Sequence, residues 1–72
     1  MAKRSLTIAG HRTSISLEAP FWTALSEIAE VKGQSISGLV GEIDRERTGG
    51  TNLSAALRVF VLEWYRAGAH RG

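Results

Sequence analysis

Two hydrophobic periods divide the chain. Over residues 12–17, Thr13, Ile15 and Leu17 alternate with Arg12, Ser14 and Ser16. A period of two is that of a half-buried strand, with one apolar and one polar side. At Pro20 the period changes. Phe21, Leu25, Ile28 and Ala29 lie at i, i+4, i+7 and i+8, with Trp22 widening the stripe. That spacing predicts a helix over about 20–32, with proline tolerated in its first turn and Gly33 as its left-handed stop. Ser35 is a good N-cap for a second helix over about 36–47, which carries Ile36, Leu39, Val40 and Ile43 on one face. Gly38 and Gly41 lie inside it, each costing about 1 kcal/mol relative to alanine. Close approach of another backbone and simple tolerance both account for them. After Thr48-Gly49-Gly50-Thr51, Asn52 caps a third helix over about 53–67, whose apolar residues go nearly all the way round.

A strand must satisfy its backbone N–H and C=O groups. One candidate partner is the same strand of a second chain, antiparallel about a two-fold axis. The other is the alternating segment 5–9, where Leu6 and Ile8 are even-numbered while Ile15 and Leu17 are odd. A hairpin turning at Gly10-His11 reconciles the two sets. It pairs Ile8 with Thr13, Leu6 with Ile15 and Arg4 with Leu17, with a type II′ turn. An isolated hairpin is marginal, leaves an edge and does not cover the third helix. The ribbon between two chains is therefore favoured. The wide apolar surface of the third helix argues separately for a dimer, because a helix apolar on most sides expects burial on more than one.

Size points the same way. Domains below roughly 70–80 residues usually need a disulfide, a metal or a partner chain, and this chain has 72 residues and no cysteine. Its two histidines, His11 and His70, have no ligand spacing between them, so neither metal nor cofactor is expected. No apolar run approaches the ~18 residues of a membrane span, and the N-terminus does not read as a signal peptide. The expected location is the cytoplasm, on the nucleoid if DNA is bound. No nucleophile–base pair or phosphate-cradling loop appears, and Gly49-Gly50 lacks the lysine of a P-loop; the chain is not expected to be an enzyme. Charge adds a hint. The net charge is only +2, but Lys3, Arg4 and Arg12 precede the first acid, Glu18. A two-fold dimer would bring two such basic arms together, which suits a polyanion.

The order strand, helix, Gly-x-Ser, helix resembles the ribbon-helix-helix (Arc/MetJ-like) DNA-binding family. The residues that carry the resemblance are 12–18 (Arg-Thr-Ser-Ile-Ser-Leu-Glu), Leu25 with Ile28-Ala29-Glu30, and Gly33-Gln34-Ser35-Ile36-Ser37. With Gly10–Ser14, Phe21-Trp22 and the added segment 52–58, the chain resembles a bacterial subfamily with a C-terminal helical extension. The resemblance implies a mainly α homodimer with an intermolecular two-stranded ribbon, plus an extra C-terminal helix. The expected organisation is an arm (1–10), a ribbon-helix-helix core (11–47), a linker (48–52), a C-terminal helix (53–67) and a tail (68–72). It further implies a transcriptional regulator, a repressor or antitoxin-like autoregulator, with its ribbon in the major groove of double-stranded DNA. By position, Arg12, Ser14 and Ser16 would face bases. Lys3, Arg4, His11 and the helix start at Ser35, Ile36 and Ser37 would meet phosphates. Thr13, Ile15, Leu17, Phe21, Trp22, Leu25, Leu39, Ile43, Leu57 and Phe60 would form the dimer core. Two outward serines reach little and discriminate poorly, which supports an alternative: an interaction module of the same fold that does not read DNA sequence. The C-terminal helix is in either case a candidate surface for a protein partner.

Overall fold

The structure is a computed structural model that describes residues 1–69; His70 and the last residues of the expected tail lie outside them. Two antiparallel strands, β1 (Ala2–Ile8) and β2 (His11–Leu17), precede three helices, α1 (Ala19–Lys32), α2 (Ile36–Glu46) and α3 (Leu53–Ala69). The expected class, mainly helical with a short β-ribbon, is the one observed.

The strand finds one partner within its own chain: along one edge β2 pairs with β1, Ala2 opposite Leu17 and Ile8 opposite His11, which leaves its other edge for the pairing between chains that the pattern favours. The turn is Ala9-Gly10 rather than Gly10-His11. Both residues have positive φ, 52° and 81°, the signature of a type I′ turn, whose twist matches that of the strands. The register is two residues away from the expected hairpin, so the faces are unchanged. Leu6 and Ile8 still share a side with Ile15 and Leu17. That side is sealed by Trp22, whose indole Nε1 donates to the Ala2 carbonyl at 2.8 Å.

The helix signals hold locally. Pro20 lies in the first turn of α1, and Gly33 closes it at φ 69° with its N–H on the Ala29 and Glu30 carbonyls. Ser35 Oγ accepts from the Gly38 N–H at 3.0 Å, and Asn52 Oδ1 from the Ala55 N–H at 2.8 Å. Among the described residues, no backbone outside α2 itself approaches either helical glycine closely. A Cβ on Gly41 would touch the Ile8 side chain at 3.6 Å, while one on Gly38 would crowd the capping Ser35 Oγ at 3.2 Å.

One chain builds its own core. Leu17, Trp22, Leu25, Ile28, Leu39, Val40 and Leu57 are each almost wholly buried, joined by Ile8, Ile15 and Ile43. A single copy thus buries the apolar side of the strand. Of the residues expected in a shared dimer core, Ile15, Leu17, Trp22, Leu25, Leu39, Ile43 and Leu57 are buried within this chain, and Thr13, Phe21 and Phe60 are half-buried. Hairpin closure supplies what a second chain was expected to bring. Burial of roughly 2 kcal/mol per large apolar side chain then holds the hairpin against the helices, β1 on α2 and β2 on α3.

Candidate nucleic-acid interface

Strand alternation sends every second side chain of the hairpin away from the core. The outward pairs are Lys3 with Ser16, Ser5 with Ser14 and Thr7 with Arg12. The Ser5 and Ser14 hydroxyls lie 3.4 Å apart, across the centre of this face. All six residues are polar, none is acidic, and all but the half-buried Ser16 are exposed. The two cations stand at opposite ends, Arg12 near the turn and Lys3 near the strand ends. Arg12, Ser14 and Ser16, singled out from the sequence, thus share a surface with Lys3. Ser5 and Thr7 were not singled out; once the hairpin is drawn, parity alone places them there.

The other candidates are dispersed. Arg4 points to the opposite side of the sheet from Lys3, its guanidinium 5.1 Å from the Trp22 ring centroid. His11 is exposed at the tip but alternates with Arg12, on the side of Ile15. At the start of α2, the Ser35 hydroxyl is occupied as a cap. The Ile36 and Ser37 N–H groups belong to a first turn that has no intrahelical acceptor for them, so they remain available to an anion.

The backbone of β2 has a free side. In a two-residue hairpin the pair flanking the turn is hydrogen-bonded and the pattern alternates from there. Arg12, Ser14 and Ser16 therefore turn their peptide groups away from β1. Along this edge runs a groove of about 450 Å³ between the strand and the start of α3, lined by Thr13, Ser14, Ser16, Asn52 and Ser54 among others. Ser54 Oγ donates to the Ser16 carbonyl at 3.2 Å. One turn further along, Arg58 forks onto Glu18, Nε to Oε1 at 3.0 Å and Nη2 to Oε2 at 3.2 Å. Hydrogen bonding from Arg58 holds the Glu18 carboxyl below its ordinary value. Sequence separations of 38 and 40 left no signal for these contacts.

A second ion-pair cluster joins α1 to α2. Glu42 accepts from Gln34 Nε2 at 2.8 Å and Lys32 Nζ at 3.0 Å, and the Gln34 bond, then Lys32, lowers its pKa. The remaining surface of note is apolar. Val59, Leu62 and Tyr65 of α3 are exposed and with Phe21 line a groove of about 390 Å³. The Tyr65 hydroxyl donates to Glu27 Oε1 at 3.1 Å; burial, then this bond, raises its pKa.

Strand, helix, Gly-x-Ser, helix is thus an observed arrangement, with a third helix docked behind it, and over residues 1–65 the sequence matches the ribbon-helix-helix domain. The chain belongs to the ribbon-helix-helix family. No curated protein matches it. Among solved structures it is similar to an uncharacterized protein from Bordetella pertussis Tohama I, at 31% identity and a TM-score of 0.79 over 96% of this chain. The chain spans 58% of that protein. Its similarity includes α3, since 96% coverage cannot be reached by the hairpin, α1 and α2 alone. Among the described residues, this ribbon-helix-helix chain has no group of three side chains suited to a metal and no helix long and apolar enough to cross a membrane.

Proposed function

We propose that the protein is a dimeric DNA-binding regulator that lays the outward face of its hairpin into the major groove. Members of the family are typically DNA-binding regulators, and a repressor or an autoregulator of the antitoxin kind both fit. The observation that carries the reading is the composition of that face: Lys3, Ser5, Thr7, Arg12, Ser14 and Ser16, polar throughout and free of acid.

The outer edge of β2, where Ser54 takes up the Ser16 carbonyl but no strand of the described residues pairs, supplies the dimer. A second copy pairing there antiparallel would make a four-stranded sheet with the two β2 strands at its centre. Strands lie about 4.8 Å apart, so this sheet is about 14 Å wide between its outer backbones, more than the roughly 12 Å of the groove. The two β2 strands then enter, and the β1 strands ride over the flanking phosphates. Arg12, Ser14 and Ser16 meet base edges, Arg12 being able to make a bidentate contact to guanine. Lys3 meets phosphate, which sets affinity more than sequence choice. The dimer carries +4, twice the +2 of one chain.

Salt-dependent DNA retention tests this. Binding should fall steeply between about 50 and 200 mM salt, as counterion release requires. Arg12→Ala should weaken it far more than Arg66→Ala on the exposed end of α3. Absence of binding at about 50 mM salt removes the regulator reading, and equal effects of the two substitutions remove the hairpin as the contact surface. Selection of bound genomic fragments, with Arg12→Ala as control, would then identify the site.

A second reading is favoured by the exposed stripe of Val59, Leu62 and Tyr65. An exposed apolar patch of this kind marks an interaction surface, which suits a protein-binding module that does not read DNA. DNA retention without sequence enrichment, together with a partner lost on Leu62→Glu, would support it.

A further inference from the structure

Glu18 is the first acid of the chain and stands at the foot of the hairpin. It follows Leu17 directly, so by alternation it continues the outward series Arg12, Ser14, Ser16. A bare carboxylate there would face the same phosphates as Lys3, and it would do so twice in a two-fold dimer. The structure does not leave it bare. Arg58 reaches across from α3 and pairs with both of its oxygens. The Arg58 guanidinium is itself held, lying 5.9 Å from the Phe21 ring centroid, and Ser54 ties the same stretch of α3 to the Ser16 carbonyl.

We infer that Arg58 is a positioning residue for the DNA-facing surface: it neutralises and aims away the one carboxylate at the foot of the ribbon, and thereby makes α3 part of the DNA-binding unit without touching DNA. The inference rests on the DNA reading above and assigns α3 a role in it. Both Arg58 and Glu18 keep partial exposure, with side chains 32% and 44% accessible. The pair is therefore close enough to solvent to be felt by a polyanion, and loose enough to be substituted without opening the core.

The experiment uses the full chain and a mixed-sequence DNA duplex at about 50 mM salt, read by fluorescence anisotropy. Four proteins are compared with wild type: Arg58→Gln, Glu18→Gln, the double Glu18→Gln/Arg58→Gln, and the exchange Glu18→Arg/Arg58→Glu. Arg58→Gln uncovers Glu18 and should weaken binding by roughly three- to tenfold, the order of one lost phosphate neutralisation per chain. Glu18→Gln should bind at least as tightly as wild type. The double variant should return to within about twofold of wild type, because the charge that Arg58 covers is gone. The exchange keeps the ion pair and puts the cation at the ribbon, so it should bind as tightly as wild type or more so. It also decides the matter if Arg58→Gln does not fold.

A double variant as weak as Arg58→Gln, or an exchange variant that loses binding while retaining its helical circular dichroism, overturns the inference, since Arg58 would then be touching phosphate itself. A wild-type protein that does not bind the duplex defeats the DNA reading, and the role of Arg58 with it. The wild-type arm thus tests the reading, and the order of the variants tests Arg58.

Discussion

β2 has backbone groups that need a partner and α3 has more apolar surface than a single neighbour can cover, and both sequences therefore ask for a second chain. The fold answers them differently. β2 has two edges and two faces. One edge goes to β1 and the apolar face goes to the common core beneath the helices, leaving Leu17 fully buried. α3 is a cylinder docked on one side. Leu57 and Val61 are buried, whereas Leu62 stays 55% exposed. An alternating strand has a defined inside, so one partner layer satisfies it. A helix apolar around most of its circumference cannot be satisfied by a domain of this size from one direction. Hydrophobic residues in the two elements are thus equally visible in the sequence and very unequally used in the chain.

The largest test of this contrast is a pair of truncations. Leu17→Ala removes a fully buried side chain and should cost about 3 kcal/mol or more, enough to unfold much of so small a domain. Leu62→Ala, on the exposed face, should stay within about 0.5 kcal/mol. Thermal melts followed by circular dichroism decide it. A Leu62→Ala loss that rivals Leu17→Ala, and grows as the protein is diluted, would show that α3 is buried in an assembly.

Next in size is the turn that gives β2 its partner. Ala9 adopts a left-handed conformation that costs a non-glycine residue roughly 1 kcal/mol or more. Asparagine is preferred there, before glycine, in a type I′ turn. Ala9→Asn should raise stability by up to about 1 kcal/mol. No gain, or a loss, would mean that Ala9-Gly10 does not form the type I′ turn.

Gly41 supplies a comparison inside α2. Its missing Cβ would meet Ile8 at an ordinary 3.6 Å, so Gly41→Ala should gain part of the roughly 1 kcal/mol of helix propensity. Gly38→Ala should gain less, because its Cβ would press at 3.2 Å on the Ser35 cap. A stability difference in the opposite order would contradict this packing.

The smallest effect is electrostatic. Glu18 and Glu42 both have folded pKa values below the ordinary 4.5. Their pairing therefore stabilises fully above that value and is lost as pH falls through it toward their lowered values. Glu18→Gln and Glu42→Gln should flatten the acid side of the stability curve; an unchanged acid limb in both would mean that these exposed pairs contribute nothing.

The candidate interface was legible in part, and the division follows sequence distance. Arg12, Ser14 and Ser16 could be assigned to one side because alternation is a property of the strand alone. Ser5 and Thr7 needed the hairpin first, and the hairpin's register turned on Ala9, which carries no strong turn signal. Arg58 and Ser54 were illegible, since nothing near them in the chain refers to Glu18 or Ser16. Arg4 beside Lys3 looked like one basic arm, yet adjacent strand residues face opposite ways, and Trp22 holds Arg4 on the other side.

By itself, the sequence determined the helices and their ends, through periodicity and through the local hydrogen bonds of Ser35, Asn52 and the Gly33 stop. It also determined which side of β2 is polar. Only the tertiary structure decided which strand β2 pairs with, where Glu18 finds its cation and which apolar residues of α3 remain exposed. Local capping and alternation act within about one turn or one strand, and short-range backbone chemistry suffices for them. Strand pairing and helix docking are settled by the fit of distant surfaces, where the burial of Leu17 and Trp22 outweighs the roughly 1 kcal/mol strain of one alanine in a tight turn.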